Sequence, residues 1–423
     1  MSTPNQLGAV VKKHQDVALL LFLLYVTPLC VYLQTLFFAT TNAWAAIYIL
    51  MMVGLMLISG KIAMQVKKGD VLFFIFMLIA CVSSLRAGEY LYFMQATLVL
   101  IFVWGYTKYC LGALCRYLEL LVVFGVACAL ACIIQELWNG FYVEFVSKLF
   151  KAQELETIFR LEEDKGNCGI MPQTANAASC ILNAFFILMF KNNSTRKKVF
   201  LGIILGLGLL LTGKRAHLFL GAFVYFISFF VGYKGLKEIK MLIVGAIAGG
   251  VLVTSFTIIA PFLPENSSIV TGLNTIREFD VNDDEIMHGR ELLYAEAILM
   301  GNSAPLTGHG WGSFKKTVNY RGDSTDAHNI YLQLYAEQGA IVAVLFVIVA
   351  IVLFVTNVRA LRALRHSYNQ KSTEVRLAKM SFCFMFFFFL YGLTGNGLYN
   401  VECLLTLGLG VSILKRVKQV IKV

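Results

Sequence analysis

The chain has 423 residues, of which 58% are hydrophobic and 14% are charged, and its mean hydropathy is +0.72. Soluble domains carry about 25% charged residues, so this composition excludes an ordinary soluble fold. The net charge of +11 is spread over many short segments and forms no single basic patch, so nucleic acid is not an expected partner. Apolar runs near the ~20 residues needed to cross a bilayer recur along the chain, which predicts an all-α integral membrane protein.

The apolar runs predict about twelve transmembrane helices. The first run, residues 17–38, is too long for the core of a signal peptide and is interpreted as a retained helix. The predicted spans are residues 17–39, 43–60, 71–85, 90–107, 117–137, 173–190, 199–212, 216–233, 241–263, 330–356, 380–397 and 402–414.

The connectors between these spans alternate in charge, which predicts the orientation of the chain. Of the 36 lysines and arginines, 24 lie at the two termini and in the connectors predicted on the same side. By the positive-inside rule that side is cytoplasmic. The prediction therefore has three parts: residues 1–263 with nine spans and a first outer loop at 138–172, a large outer loop at 264–329 with short helices, and residues 330–423 with three spans and a basic cytoplasmic tail.

Two cations, Lys214 and Arg215, stand on the opposite, outer side in the turn LTGKRAHLFL. The predicted span before them has only about 14 residues and rises ~21 Å, less than the ~30 Å of a hydrocarbon core. Cations at such a depth usually pair with a partner or line a substrate path. The alternative interpretation is a pair of snorkelling anchors at a helix end.

A polar stripe enters the tenth predicted span in the segment DAHNIYLQLYAEQG. Asn329, Gln333 and Glu337 are spaced by four and share one helix face, and His328 stands at the helix entrance. One interpretation is helix capping and polar packing. The other is that His328, as a neutral imidazole, acts as a general base on a hydroxyl at the membrane surface. Of the ten cysteines, only Cys168 falls in an outer loop, and no disulfide framework or metal site is predicted.

Four motifs occur in order: GKRA, a loop helix opening with GRELLYAEAI, the turn PLTGHGWGSF, and AHNIYLQLYAEQG. Together they resemble the O-antigen ligase and O-antigen polymerase superfamily, at motif level over about residues 155–345 and in topology over the whole chain. The resemblance implies a GT-C-like, inverting glycosyltransferase. Its donor would be a glycan linked to undecaprenyl diphosphate, and it would need no nucleotide sugar, metal or other cofactor.

The resemblance also implies roles for individual residues. His328 matches the proposed base of the HN motif, and Arg215 and Arg290 match arginines that hold the diphosphate. Lys214 is expected to assist them, and Arg160 in the first outer loop is a looser match. Residues expected to contact the acceptor or to support the site are Asn329, Glu337, His309 and His217, although Glu337 lies ~13 Å beyond His328 along the helix.

The function predicted from these residues is polymerisation of O-antigen, capsule or exopolysaccharide repeat units. A ligase that moves the glycan onto lipid A core or another terminal acceptor shares the same residues and stays open. A transporter of an anionic lipid or solute is the alternative from another class, although the polar residues show no two-fold pattern. The expected location is the bacterial cytoplasmic membrane with both termini cytoplasmic, and a chain-length regulator is an expected partner besides the glycan and the bilayer.

Overall fold

The computed structural model describes residues 111–146, 166–171, 173–191, 194–231, 290–320, 323–367, 372–399 and 401–421, and scattered positions between 71 and 88. The predicted spans at 17–39, 43–60, 90–107 and 241–263 lie outside the described residues. The seven spans predicted from residue 117 onward, that at 241–263 excepted, each coincide with a helix of the structure.

The described elements follow one another in a helical chain. They are α1 (Leu111–Leu137), α2 (Asn139–Phe141), a π-helix (Tyr142–Val146), α3 (Thr174–Phe190), α4 (Thr195–Leu211), α5 (Arg215–Phe230), α6 (Arg290–Ser303), α7 (Ser313–Thr317), β1 (Asn319–Tyr320), β2 (Asp323–Ser324), α8 (Ile330–Ser367), α9 (Thr373–Tyr391), a 3₁₀ turn (Gly397–Tyr399) and α10 (Val401–Ile421). The strands β1 and β2 form one small antiparallel pair, in which Asn319 faces Ser324.

The prediction of an all-α protein is confirmed for the described residues, since the strands are two residues each. Two helical segments, Leu118–Leu137 and Ile330–Leu364, are long and apolar enough to cross a membrane, and Thr174–Phe190 and Arg215–Phe230 are shorter apolar helices. These helices are consistent with a membrane protein. The count of twelve spans and the GT-C-like arrangement stay predictions.

The chain divides into two compact units. The first, here the loop unit, comprises Gly289–Thr356 and Phe388–Arg416 with the positions before Leu120, and the second, the turn unit, lies within Leu120–His288 and Asn357–Phe387. The loop unit contains α6, α7, the start of α8, the end of α9 and most of α10. The turn unit contains most of α1, all of α3 to α5, and the adjoining ends of α8 and α9.

Small residues bring the helices of the turn unit close together. A Cβ atom added to Gly125 of α1 would overlap Ala184 of α3, and one added to Gly208 of α4 would overlap Ala129 of α1. Small residues at such contacts let helix backbones approach closely, which is a common means of packing membrane helices.

The loop unit is organised by a break in α8. Gly339 has φ 80° and ψ 172°, so the helix is interrupted there although both sides are helical. The Ala340 N–H donates to the Pro305 carbonyl at 2.7 Å, which anchors the PLTGHGWG turn at the break. A small core of Ala297, Phe314, Ala327 and Ala336 joins α6, α7 and the start of α8.

Candidate functional site

His328 lies directly before α8, in an unusual backbone conformation. Its φ is +52°, and among the described residues it is the one non-glycine residue with a positive φ. A left-handed conformation costs roughly 1–2 kcal/mol for a residue with a side chain, so it persists only where the surroundings determine it. The side chain of His328 is half-buried.

Asn329 caps α8 immediately after His328. Its Oδ1 accepts from the Tyr331 N–H at 3.0 Å and from the Leu332 N–H at 3.1 Å. Asparagine is among the preferred N-cap residues because its side chain satisfies otherwise unpaired N–H groups of the first turn. The end of α9 fixes the same point, since the Ile330 N–H donates to the Gly392 carbonyl at 2.8 Å.

Gln333, one turn further, is fully buried and joins several segments. Its Nε2 donates to Asp326 Oδ1 at 3.2 Å and to Glu337 Oε1 at 3.1 Å. Its Oε1 accepts from the Ala327 N–H at 3.0 Å and from Asn396 Nδ2. The predicted common helix face is thus confirmed for Gln333 and Glu337 by their hydrogen bond.

Glu337 is also fully buried, and its carboxylate is surrounded by donors. Oε2 accepts from the Gly312 N–H at 2.8 Å and from the Tyr399 hydroxyl, and Oε1 accepts from the Phe314 N–H at 3.2 Å besides Gln333. Burial of a carboxylate is costly unless such hydrogen bonds compensate for lost water. Glu337 therefore ties the start of α7 and the 3₁₀ turn to α8.

The PLTGHGWG turn lies against the backbone of α8 just before the break. The Gly310 N–H donates to the Glu337 carbonyl at 2.7 Å, and the His309 N–H donates to the Ala336 carbonyl at 3.2 Å. The exposed His309 ring has its Nε2 2.8 Å from Ser303 Oγ and 3.0 Å from the Met300 carbonyl oxygen, at the end of α6. These contacts connect the turn to α6.

Trp311 and Tyr399 form an aromatic pair beside Glu337, with ring centroids 4.9 Å apart. Ser83 joins this region, because its Oγ accepts from the Trp311 N–H at 3.0 Å and from Gln338 Nε2 at 2.8 Å. Ser83, Trp311 and Tyr399 all come from segments predicted to lie at the outer ends of spans or in an outer connector. Their contacts agree with the predicted topology.

Arg290 is the first residue of α6 and is half-buried. Its charge acts electrostatically on the hydroxyl of Tyr391, the last residue of α9. The loop unit thus gathers four predicted site residues besides Arg290, namely His309, His328, Asn329 and Glu337.

The turn unit contains the GKRA segment. Gly213 has φ +67° and turns the chain between α4 and α5, so that Arg215 becomes the first residue of α5 and Lys214 directly precedes it. The Thr212 Oγ1 accepts from the Lys214 N–H at 3.3 Å, and the Lys214 carbonyl accepts from the N–H groups of the next turn. Both cations therefore stand at the N-terminus of a helix, where partial positive charge adds to their own.

The end of the first outer loop packs onto this turn. The Asn167 N–H donates to the Leu211 carbonyl at 3.1 Å. Gln135 at the end of α1 holds the same loop, since its Oε1 accepts from the N–H groups of Cys168 and Gly169, both at 3.0 Å. Three segments predicted on the outer side therefore meet in the turn unit. Arg160 lies outside the described residues.

His217 is buried one turn into α5. Its Nε2 lies 2.9 Å from Ser179 Oγ of α3, and its ring lies 5.3 Å from the ring of Phe387. It therefore takes part in packing between α3, α5 and α9.

Metal and thiol chemistry find no support in the part of the chain that the structure describes. No group of three or more histidines, cysteines and acids able to hold a metal occurs there. The cysteines described are free, and burial raises the pKa of the Cys168 thiol to about 11, although a hydrogen bond with Tyr142 lowers it. Such a thiol is neutral near pH 7 and is a poor nucleophile.

Sequence reasoning did not single out Gln333, Asn396, Trp311 and Tyr399 as site residues. The spacing of four residues between Asn329, Gln333 and Glu337 was the signal available for Gln333. Asn396 and Tyr399 meet this stripe from another helix end, more than 60 residues along the chain. Their position depends on tertiary packing.

Comparison with protein families places these features in one known class. Residues 200–347 match the family model described as O-antigen ligase. The matched segment includes Arg215, Arg290, His328, Gln333 and Glu337, and it confirms the resemblance to the O-antigen ligase and polymerase superfamily over this part of the chain. No curated protein matches the chain.

Proposed function

We propose that the protein is an inverting, metal-independent glycosyltransferase that polymerises repeat units of a surface polysaccharide. The donor is an oligosaccharide linked to undecaprenyl diphosphate, and the reaction takes place at the outer face of the bacterial cytoplasmic membrane. The observation that carries the proposal is the family match at residues 200–347, because it joins the GKRA turn, Arg290 and the AHN segment in one stretch. An O-antigen ligase-type or polymerase-type activity follows from that match, and the finer assignment rests on the residues below.

His328 acts as the general base in this proposal. The acceptor hydroxyl loses its proton to the imidazole while its oxygen attacks the anomeric carbon, and the bond from that carbon to the diphosphate oxygen breaks. The configuration inverts because there is a single displacement. Support comes from the entry position of His328 and from the surrounding hydrogen bonds that define its backbone.

The diphosphate leaves with the electron pair of the broken bond, so its growing charge must be neutralised. Arg215, Arg290, Lys214 and Arg160 are the proposed cations. Arginine suits this role because its planar guanidinium binds phosphate oxygens in pairs. Preorganised cations in a partly dry site lower such a barrier by several kcal/mol, so no general acid is required.

The experiment supplies the purified protein with a lipid-linked repeat unit alone and resolves product lengths on a gel. We expect a ladder of polymers that disappears in His328→Ala. The matched control is His366→Ala near the other end of α8, which should leave the ladder intact. A ladder that survives His328→Ala would remove His328 as the base.

The second candidate is the ligase, and the printed description of the matching family, O-antigen ligase, favours it. It predicts no ladder with donor alone and a single transfer when lipid A core or another terminal acceptor is added. Transfer to such an acceptor without polymer would replace the polymerase assignment. Solute flux into liposomes with no covalent product would replace both with a transporter.

A further inference from the structure

The residues directly before His328 are held by one buried side chain. Asp326 and Ala327 are the two residues before it, and Gln333 bonds to both, through Nε2 to Asp326 Oδ1 and through Oε1 from the Ala327 N–H. Gln333 has an exposed fraction of 0%, so water does not replace these bonds. The segment that leads into the left-handed bend at His328 is thereby fixed to α8.

The orientation of the Gln333 amide is determined by its partners. A carboxylate as ionised accepts only, so both Asp326 and Glu337 require the NH₂ end, whereas the Ala327 N–H donates only and requires the oxygen. Glu337 cannot rotate to another partner without breaking its bonds to Gly312 and Phe314. Glu337 therefore sets Gln333, and Gln333 sets the backbone ahead of His328.

We propose that Gln333 is a positioning residue for His328, and that it keeps the imidazole in the geometry required to take a proton from the acceptor hydroxyl. This inference rests on the proposed function, in which His328 is the base. The left-handed bend is unfavourable by itself, so loss of the Gln333 bonds allows the segment to relax to an ordinary conformation. A displacement of about 1 Å at a catalytic group can lower the rate by about 100-fold.

The test compares Gln333→Leu with Gln338→Leu. Gln338 lies on the same helix, is also buried, and also loses a hydrogen bond in the variant, but that bond goes to Ser83 and not to the segment before His328. Thermal unfolding and elution profiles of both proteins establish that they are folded. We expect Gln333→Leu to lower kcat by about 100-fold, with the KM for the lipid-linked donor unchanged, and Gln338→Leu to keep kcat within about threefold.

A double variant separates positioning from a general loss of structure. In His328→Ala, Gln333 has no base to position, so adding Gln333→Leu should leave the residual rate, measured at high enzyme concentration, unchanged. A further fall in the double variant, or a rise in donor KM with kcat unchanged in Gln333→Leu, would overturn the positioning role alone. Wild-type turnover in His328→Ala would overturn the proposed base and the positioning role together.

Discussion

At the scale of single residues, Arg215 offers the sharpest test of diphosphate binding. It is the first residue of α5 and follows Lys214 in a turn held by Thr212 and Gly213. Hydrogen bonds to charged groups contribute about 1.5–3 kcal/mol each. We therefore expect Arg215→Ala to lower kcat/KM for the lipid-linked donor by about 10- to 100-fold, measured by product formation at limiting donor.

The chain provides a matched control for this substitution. Arg196 also stands in the first turn of a helix, α4, and is exposed, but it lies in a connector predicted to be cytoplasmic. Arg196→Ala should keep the wild-type kcat/KM. Arg215→Lys should fall between Ala and Arg, because lysine keeps the charge and loses the paired geometry. Equal turnover in Arg215→Ala and wild type would exclude the diphosphate role.

The candidate site was predictable from sequence only where its geometry is local. Asn329, Gln333 and Glu337 share a face because their spacing matches the helix, and the hydrogen bond from Gln333 to Glu337 confirms it. The donors that meet Glu337 from Gly312, Phe314 and Tyr399 come from other segments. No residue spacing encodes such contacts, since they arise from packing of distant parts of the chain.

At the scale of elements, hydropathy located the helices better than their ends. The span predicted at 330–356 lies within α8, which continues to Ser367 through Arg359, Arg362 and Arg365. The span predicted at 380–397 corresponds to α9, which already starts at Thr373 and stops at Tyr391 before Gly392. Apolar residues mark the part of a helix suited to a membrane, whereas caps and glycines determine where the helix begins and ends.

The break in α8 is an element-scale feature that the apolar pattern did not predict. Gly339 has a conformation that is essentially confined to glycine, and a Cβ there would lie 2.5 Å from the Leu306 carbonyl carbon. We expect Gly339→Ala to lower the free energy of unfolding by about 1–3 kcal/mol or more, and to displace the PLTGHGWG turn. Thermal unfolding of the purified protein measures the change.

Gly206 supplies the control for Gly339. It lies within α4, and a Cβ added there meets nothing within 4 Å. Alanine is favoured over glycine inside a helix by about 1 kcal/mol, so Gly206→Ala should unfold at the same or a higher temperature. An unchanged unfolding temperature in Gly339→Ala would mean that the break is not required for stability.

At the scale of the whole molecule, the proposed reaction requires His328 on the outer face. The part of α8 after the break, residues 340–367, rises about 42 Å, more than the ~30 Å of a hydrocarbon core. Its last turns carry Arg359, Arg362 and Arg365, which the positive-inside rule assigns to the cytoplasm. The start of α8, with His328, then lies on the opposite side of the membrane.

Reporter fusions test this orientation in cells. Alkaline phosphatase is active only outside the cytoplasm, and green fluorescent protein fluoresces only inside, so each is joined in turn after residues 191, 303, 371 and 423. We expect phosphatase activity after 303 and fluorescence after 191, 371 and 423, because the basic connectors stay inside. The decisive pair is 303 and 371, which flank α8. Fluorescence after 303 would place His328 in the cytoplasm, where a glycan already moved across the membrane cannot reach it, and the proposed outer-face reaction would fail with the topology.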